Sequence, residues 1–222
     1  MANVQTIVTK VRCGGNFIEL MAYAEDHITN CLLRGNLYEE ALLEQILQSY
    51  GTGGVYVDFG AFIGSHSLFF AIACKADLVI AAEPNPISYA MLDWNIKHNN
   101  VPVEAFACGV GDTSKRMGLW IDTEHNNNGG TQLVEGDIVP VLPAGALITT
   151  RPKLIKIDVE GFAMEVLRGC TDILQKHSPV LVVEECCGLG DEIRIFLKSM
   201  SYQEAWRYKG GGPDTTIYER SG

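Results

Sequence analysis

Residues 55–67, VYVDFGAFIGSHS, decide the fold that the sequence predicts. An apolar run containing Asp58 gives way to Gly60 and Gly64, so we expect a buried strand that turns sharply into a helix. Backbone N–H groups exposed at such a turn can hold an anionic or polar ligand. The spacing D-x-G-x-x-x-G differs from the G-x-G-x-x-G of pyrophosphate-binding turns, which weakens a dinucleotide interpretation.

Around this turn, short apolar runs alternate with amphipathic ones, which is the pattern of an α/β fold with a parallel sheet. The apolar runs are rich in Val, Ile and Leu, so we expect strands buried on both faces. These predicted strands lie at 54–59, 77–83, 103–108, 153–159 and 179–185. The amphipathic segments predict helices at 65–76, 86–100, 162–176 and 191–200. The tail predicts two antiparallel strands, 202–209 and 215–221, joined by a GGGPD loop.

The length of 222 residues predicts one α/β domain, 1–222. N-terminal strands and a lead-in helix are expected in residues 1–50, and a doubly wound core in 53–222. Between about 109 and 152 the pattern weakens, with HNNNGG typical of an exposed turn between two strands and LPAGALITTRP typical of a loop. Because loops at the carboxyl ends of strands border the ligand crevice in such sheets, this insertion is a candidate substrate wall or lid. A hairpin without function is the alternative.

Composition excludes several classes of protein. The formal net charge of −10 argues against a broad nucleic-acid surface. No run approaches the roughly 20 apolar residues of a membrane span, and the N-terminus lacks the layout of a secretion signal, so a cytoplasmic protein is expected. The seven cysteines show neither a disulfide framework nor the spacing of zinc ligands, and the adjacent Cys186 and Cys187 are expected to be a reduced pair.

Glu83 ends the second predicted core strand, at about the distance beyond the glycine turn where nucleotide-binding folds place an acid for ribose hydroxyls. A carboxylate there can accept hydrogen bonds from both hydroxyls. The alternative is that Glu83 caps the helix that begins at 84–86.

The segment LIKIDVEG places Asp158 and Glu160 two residues apart at the end of a strand. If the extended conformation persists, both carboxylates and Lys156 project from one face, and repulsion makes one carboxylate a candidate base. The alternative is that Glu160 caps the next helix and Asp158 binds backbone amides. With Glu184, the two acids offer oxygen ligands for Mg²⁺, which is possible but not favoured. His66 and the pair 125–126 are weaker candidates for a role in catalysis.

These motifs together resemble the FkbM-type methyltransferases, which bind S-adenosylmethionine on a class I Rossmann-like fold. The resemblance covers most of the chain and lies in VDFGAFIGSHSLFFA, AAEPNP, ACGVGD, IKIDVEGFAMEVLRG and PVLVVEE. It implies a seven-stranded, mostly parallel sheet with helices on both faces and a C-terminal antiparallel hairpin. The chain departs from the family pattern at Phe62, where Asn is frequent, and at Ala163, where an acid is frequent.

The resemblance also implies positions around the cofactor. The amino acid end of S-adenosylmethionine would lie against the glycine turn, the ribose against Glu83, the adenine beyond the third strand and the methyl group opposite Asp158. The cofactor-binding residues predicted in this way are Asp58, Gly60, Ala61, Phe62, Gly64, Glu83, Pro84, Ala107, Cys108 and Asp158.

The function expected from these observations is S-adenosylmethionine-dependent O-methylation of a sugar, glycan or natural-product hydroxyl, with S-adenosylhomocysteine as product. Asp158 and Glu160 are the predicted catalytic residues, because one of them would take the proton of the hydroxyl. A nucleic-acid methyltransferase, a cofactor-binding protein without turnover and a dinucleotide oxidoreductase are the alternatives. No motif predicts the acceptor or the oligomeric state.

Overall fold

The computed structural model describes residues 4–122, 127–210 and 212–221. Its strands, in chain order, are β1 (Thr6–Cys13), β2 (Asn16–Tyr23), β3 (Val55–Phe59), β4 (Leu78–Ala82), β5 (Val103–Phe106), β6 (Gly109–Gly111), β7 (Lys115–Asp122), β8 (Asn127–Pro143), β9 (Pro152–Ile157), β10 (Val180–Glu184), β11 (Tyr202–Tyr208) and β12 (Thr215–Arg220). Its helices are α1 (His27–Leu33), α2 (Glu40–Tyr50), α3 (Ser65–Ile72), α4 (Pro86–Asn99), α5 (Ala144–Leu147), α6 (Ala163–Gly169), α7 (Thr171–His177) and α8 (Gly190–Ser199).

The central sheet has the strand order β11-β12-β10-β9-β3-β4-β5. Strands β3, β4, β5, β9 and β10 pair in parallel, whereas β12 pairs antiparallel with both β10 and β11. The mostly parallel α/β sheet expected from the sequence is therefore confirmed. Because consecutive parallel strands end at the same edge, the segments after β3, β4, β9 and β10 converge there.

Both faces of the central sheet are buried, as the continuous apolar strands predict. On β3, Tyr56 packs into one core with α2, α3, α4 and the β1–β2 hairpin. Its neighbours Val57 and Phe59 pack into a second core with α6, α7 and α8. Asp58 shares the Tyr56 face, which places a carboxylate inside the first core.

Two smaller sheets flank the central one. The β1–β2 hairpin is antiparallel, and Asn95 of α4 joins it to the central fold. The Asn95 Oδ1 accepts from the Met21 N–H, and its Nδ2 donates to the carbonyls of Met21 and Ile63. In the insertion, β8 pairs antiparallel with β7 and parallel with β6. The turn predicted between the insertion strands falls partly on residues 125–126, which lie outside the described residues.

Three elements differ from the sequence-based prediction. The predicted helix 162–176 is broken at Cys170 into α6 and α7, where Gly169 lies so close to the Gly111 carbonyl that a Cβ would be 2.0 Å from its oxygen. The predicted loop 142–152 contains the short helix α5. Helix α1 was not predicted, although Asp26 caps it by accepting from the Ile28 N–H at 2.9 Å. Among the described helices, none has both the length and the apolar character needed to cross a membrane.

Candidate active site

A cavity of about 260 Å³ lies at the carboxyl ends of β3, β4, β9 and β10. Its wall also includes residues of α1, β6 and β8, and of the loop between β11 and β12. The predicted site residues that line it are Gly60, Ala61, Phe62, Glu83, Pro84, Cys108, Asp158 and Glu160.

Three predicted cofactor residues are not among the residues that line the cavity. Asp58 is fully buried within the sheet, where its carboxylate pairs with Lys156 and does not face the cavity. Gly64 is the N-cap of α3, and a Cβ there would lie 2.5 Å from Leu92 Cδ1, so the absence of a side chain allows α3 to pack against α4. Ala107 is exposed in the turn after β5.

The glycine turn after β3 brings two strand ends together. Gly60 has a φ of 78°, and a Cβ on it would lie 1.6 Å from the Asp158 carbonyl oxygen. Only glycine fits there, since any side chain would displace the segment that carries the acidic residues. Phe62 has a φ of 50° and stacks on Tyr23 with ring centroids 5.6 Å apart.

Glu83 is buried and joins the glycine turn to α4. Its Oε2 accepts from the Phe62 N–H and its Oε1 from the Asn85 N–H, both at 2.8 Å. The alternative in which Glu83 caps α4 is wrong, because Asn85 is the cap and accepts from the Ile87 N–H. Burial raises the pKa of Glu83 to about 7, although the two N–H donors act against this rise. Each carboxylate oxygen keeps a second lone pair for a ligand hydroxyl.

Lys156 connects the core to the cavity. Its Nζ lies 3.1 Å from Asp58 Oδ1 and 3.2 Å from Asp158 Oδ2, and Asp58 also accepts from Ser67 Oγ at 2.6 Å. Burial acts to lower the pKa of Lys156, but the two carboxylates more than offset it and the pKa is raised. The ammonium is therefore charged and fixed in position.

Glu160 does not continue the strand, which corrects the prediction of an extended segment. It has a φ of 45° between Val159 and Gly161, so the chain turns as soon as β9 ends. The carboxylates still converge, with oxygens of Asp158, Glu160 and Glu184 within 4.8 Å of one another. The helix-cap alternative is also wrong, because Phe162 stands at the N-cap of α6.

The three carboxylates have unequal proton affinities. Burial raises the pKa of Glu160 to about 7, and the Asp158 charge adds to the rise. Burial and the charges of Asp158 and Glu160 raise the pKa of Glu184 to about 10. Burial acts to raise the pKa of Asp158 too, but Lys156 and a hydrogen bond with Glu184 hold it below its usual value. Asp158 is therefore ionised, Glu184 carries a proton at neutral pH, and Glu160 titrates between them.

A search against protein-family models identifies a "Methyltransferase FkbM domain" over residues 58–204. This chain belongs to the FkbM methyltransferase family. The match begins at Asp58 in β3 and ends in β11, so it includes the glycine turn, Glu83 and the three carboxylates.

One curated relative and two solved structures are similar to this FkbM chain, and the solved structures share its fold. It is 28% identical over 165 residues to the hexuronic acid methyltransferase AglP of Haloferax volcanii, covering 68% of this chain and 62% of the relative. It resembles the crystal structure of an FkbM methyltransferase from Methylobacillus flagellatus, with a TM-score of 0.59 and 21% identity. That match covers 74% of this chain and 42% of the solved chain. A putative tRNA methyltransferase of Streptococcus pneumoniae, solved with S-adenosyl-L-methionine, has a TM-score of 0.56 and 13% identity. That match covers 82% of this chain and 72% of the solved chain. The chain thus spans about three fifths of the haloarchaeal relative's length.

His66 lies in the wall of the FkbM cavity in a buried position. Its Nε2 lies 3.2 Å from the Tyr38 carbonyl oxygen and 3.8 Å from Glu39 Oε2. Burial, aided by the Lys156 charge, lowers the pKa of His66 to about 4, so the ring is neutral at physiological pH. The other histidine candidate, at 125–126, lies outside the part of the chain that the structure describes.

Several lining residues were not singled out by sequence reasoning, namely His27, Ile28, Thr131, Leu133 and Pro213, although Thr131 and Leu133 lie in the insertion that was a candidate substrate wall. The first two belong to α1, whose start is signalled in the sequence by Asp26, although its seven residues are too few for a clear periodic pattern. Thr131 and Leu133 belong to β8, which makes the insertion part of the cavity wall. The sequence placed the insertion beside the crevice but did not indicate which of its residues face the cavity.

Proposed function

We propose that this chain is an S-adenosylmethionine-dependent O-methyltransferase that acts on an uncharged hydroxyl acceptor, such as a neutral sugar. The observation that carries the proposal is Glu160, a carboxylate with a pKa near 7 that lines the same cavity as Glu83. Its neighbour Asp158 is already committed to Lys156. The cavity thus combines an acceptor for ribose hydroxyls with a base for the reacting hydroxyl.

The residues present fit the proposed cofactor. The free lone pairs of Glu83 suit the two ribose hydroxyls, and Gly60, Ala61 and Phe62 line the wall where the amino acid end would lie. The expectation that this turn exposes backbone N–H donors is wrong, because the N–H groups of Gly60 and Ala61 donate to the Ala82 carbonyl and that of Phe62 donates to Glu83. Cys108 and Val110 supply an apolar wall for the adenine. When bound, S-adenosylmethionine supplies an electrophilic methyl group.

Glu160 is the proposed general base, and Asp158 is the residue that positions it. An acceptor hydroxyl must lose its proton as it takes the methyl group, and a base works best when its pKa lies near the working pH. Asp158 has a depressed pKa and a fixed ammonium partner, so it is the weaker base. Its charge helps to keep the pKa of Glu160 high.

The charge of the cavity favours an uncharged acceptor. Within the described residues, Lys156 is the only Lys or Arg that lines it, and the segments outside the description contain neither residue type. Lys156 is engaged by Asp58 and Asp158, so among the described residues no free Lys or Arg is left there for an acidic group on the acceptor. We therefore propose a different acceptor from the hexuronic acid named for the haloarchaeal relative.

The test is methyl transfer from radiolabelled S-adenosylmethionine to paired acceptors, methyl glucoside and its C6 carboxylate, followed by the same assay on neutral glycans. We expect transfer only to uncharged acceptors, with a rate that rises with pH through about 7 as Glu160 loses its proton. Glu160→Gln should lower the rate by about 10² and remove that rise. Glu165→Gln, in the first turn of α6 and not among the residues that line the cavity, is the matched control. Preference for the carboxylate, or a parental rate in Glu160→Gln, would contradict the proposal.

A further inference from the structure

Two adjacent thiols lie beside the acidic residues, after β10. The sulfur atoms of Cys186 and Cys187 are 2.9 Å apart, and both cysteines are free. A carboxylate oxygen of Glu160 lies within 4.8 Å of both sulfurs. The proposed chemistry uses neither thiol.

The backbone around the thiols keeps both sulfurs on the Glu160 side. Cys187 has a φ of 59° and is followed by Gly188 with a φ of 79°, so the chain turns sharply at the pair. Gly161, next to Glu160, leaves room for this arrangement, since a Cβ there would lie 3.3 Å from Cys187 Sγ. Cys186 is buried and Cys187 is exposed, which gives the pair a route from solvent.

We propose that Cys186, Cys187 and Glu160 bind one thiophilic divalent cation of the Zn²⁺ class. Two thiolates and one carboxylate are a donor set that Zn²⁺ accepts, with a fourth position left for water. Tetrahedral zinc with bonds to sulfur of about 2.3 Å requires the sulfurs to separate to about 3.8 Å, which side-chain rotation can supply. Binding forms two metal–sulfur bonds and one metal–oxygen bond to Glu160 and releases the two thiol protons, so affinity increases with pH.

This thiol site is distinct from the oxygen cluster of Asp158, Glu160 and Glu184, although the two share Glu160. A hard cation such as Mg²⁺ takes oxygen ligands, whereas thiolates select softer ions. Zn²⁺ held by the thiols would also occupy the Glu160 carboxylate, so the metal and the proton of an acceptor hydroxyl would compete for one group.

The test is a titration of the reduced full chain with Cd²⁺, which reports thiolate binding by ultraviolet absorption, and equilibrium dialysis with Zn²⁺ for stoichiometry. We expect one ion per chain and no displacement by excess Mg²⁺. Cys187→Ser and Cys186→Ser should each weaken binding at least about tenfold, and Glu160→Gln should weaken it less. None of these measurements requires methyl transfer, so they are independent of the proposed activity.

Cys31→Ser is the matched control, since Cys31 is a partly exposed thiol in another part of the fold. It should bind both ions as the parent does. Cys187→Ser carries the test if the buried Cys186→Ser fails to fold, because the Cys187 side chain is exposed. Parental affinity in Cys187→Ser, the absence of binding at one ion per chain, or displacement by Mg²⁺ would overturn the proposal.

Discussion

The ammonium of Lys156 shows how a single buried charge organises this site. It lies between Asp58, which is fully buried, and Asp158, which reaches the cavity. Removing one member of such a group leaves the other charges in a low-dielectric environment without compensation. The sequence indicated that Lys156 and Asp158 share a face, but it did not indicate that Asp58 is the internal partner.

For this group of charges we predict unequal losses of stability in two isosteric substitutions. Asp58→Asn removes a buried partner of Lys156 and should lower the free energy of unfolding by about 3 kcal/mol. Glu184→Gln replaces a carboxyl group that is protonated at neutral pH and should change it by less than about 1 kcal/mol. Urea denaturation at pH 7 measures both. Equal losses in the two variants would show that Glu184 is ionised and needs Lys156 as Asp58 does.

The elements around the glycine turn were predicted well because local sequence determines them. Strand β3 and helix α3 carry continuous apolar runs on either side of Gly60 and Gly64, and the structure places both where the pattern indicates. The turn at Glu160 was not predicted, since a non-glycine residue with positive φ is held by tertiary packing rather than by local preference. Helices α1 and α5 have only 7 and 4 residues, too few for a clear periodic pattern.

The glycine turn also provides a prediction about the contact between β3 and β9. Gly60→Ala adds a Cβ that would lie 1.6 Å from the Asp158 carbonyl oxygen, in addition to the strain of its positive φ. We expect a loss of more than about 3 kcal/mol in the free energy of unfolding. Gly53→Ala has a comparable φ but no atom within 4 Å of its Cβ, so it should lose only about 1 kcal/mol. Similar losses in both variants would mean that β9 shifts freely and does not fix the acidic residues.

For the whole molecule, buried carboxylates make stability depend on pH. The pKa of Glu39, Glu83 and Glu160 is raised to about 7, chiefly by burial. The folded chain therefore keeps protons that the unfolded chain releases above about pH 4.5, and this contribution to stability is lost as pH rises to about 7. The pKa of His66 is lowered to about 4, so the contribution of this residue to stability increases as pH rises from about 4 to 6.5.

Glu83→Gln isolates one of these contributions. The variant lacks a titrating group at that position, so its stability relative to the parent should improve by up to about 3 kcal/mol between pH 4.5 and 7.5. Urea denaturation of both proteins at several pH values gives the difference, and Glu104→Gln, an exposed acid on β5, serves as the control. A difference that does not change with pH would mean that Glu83 is ionised throughout this range.

The central claim is that this cavity binds S-adenosylmethionine with its ribose on Glu83, and calorimetric titration of the parent, Glu83→Ala and Glu104→Ala with the cofactor tests it most directly. Loss of a buried acceptor for two hydroxyls should weaken binding at least about tenfold in Glu83→Ala. Glu104→Ala should bind as the parent does, because its side chain is exposed and does not line the cavity. The account predicts stoichiometric binding that depends on Glu83; unchanged affinity in a folded Glu83→Ala, or no binding by the parent, would contradict it.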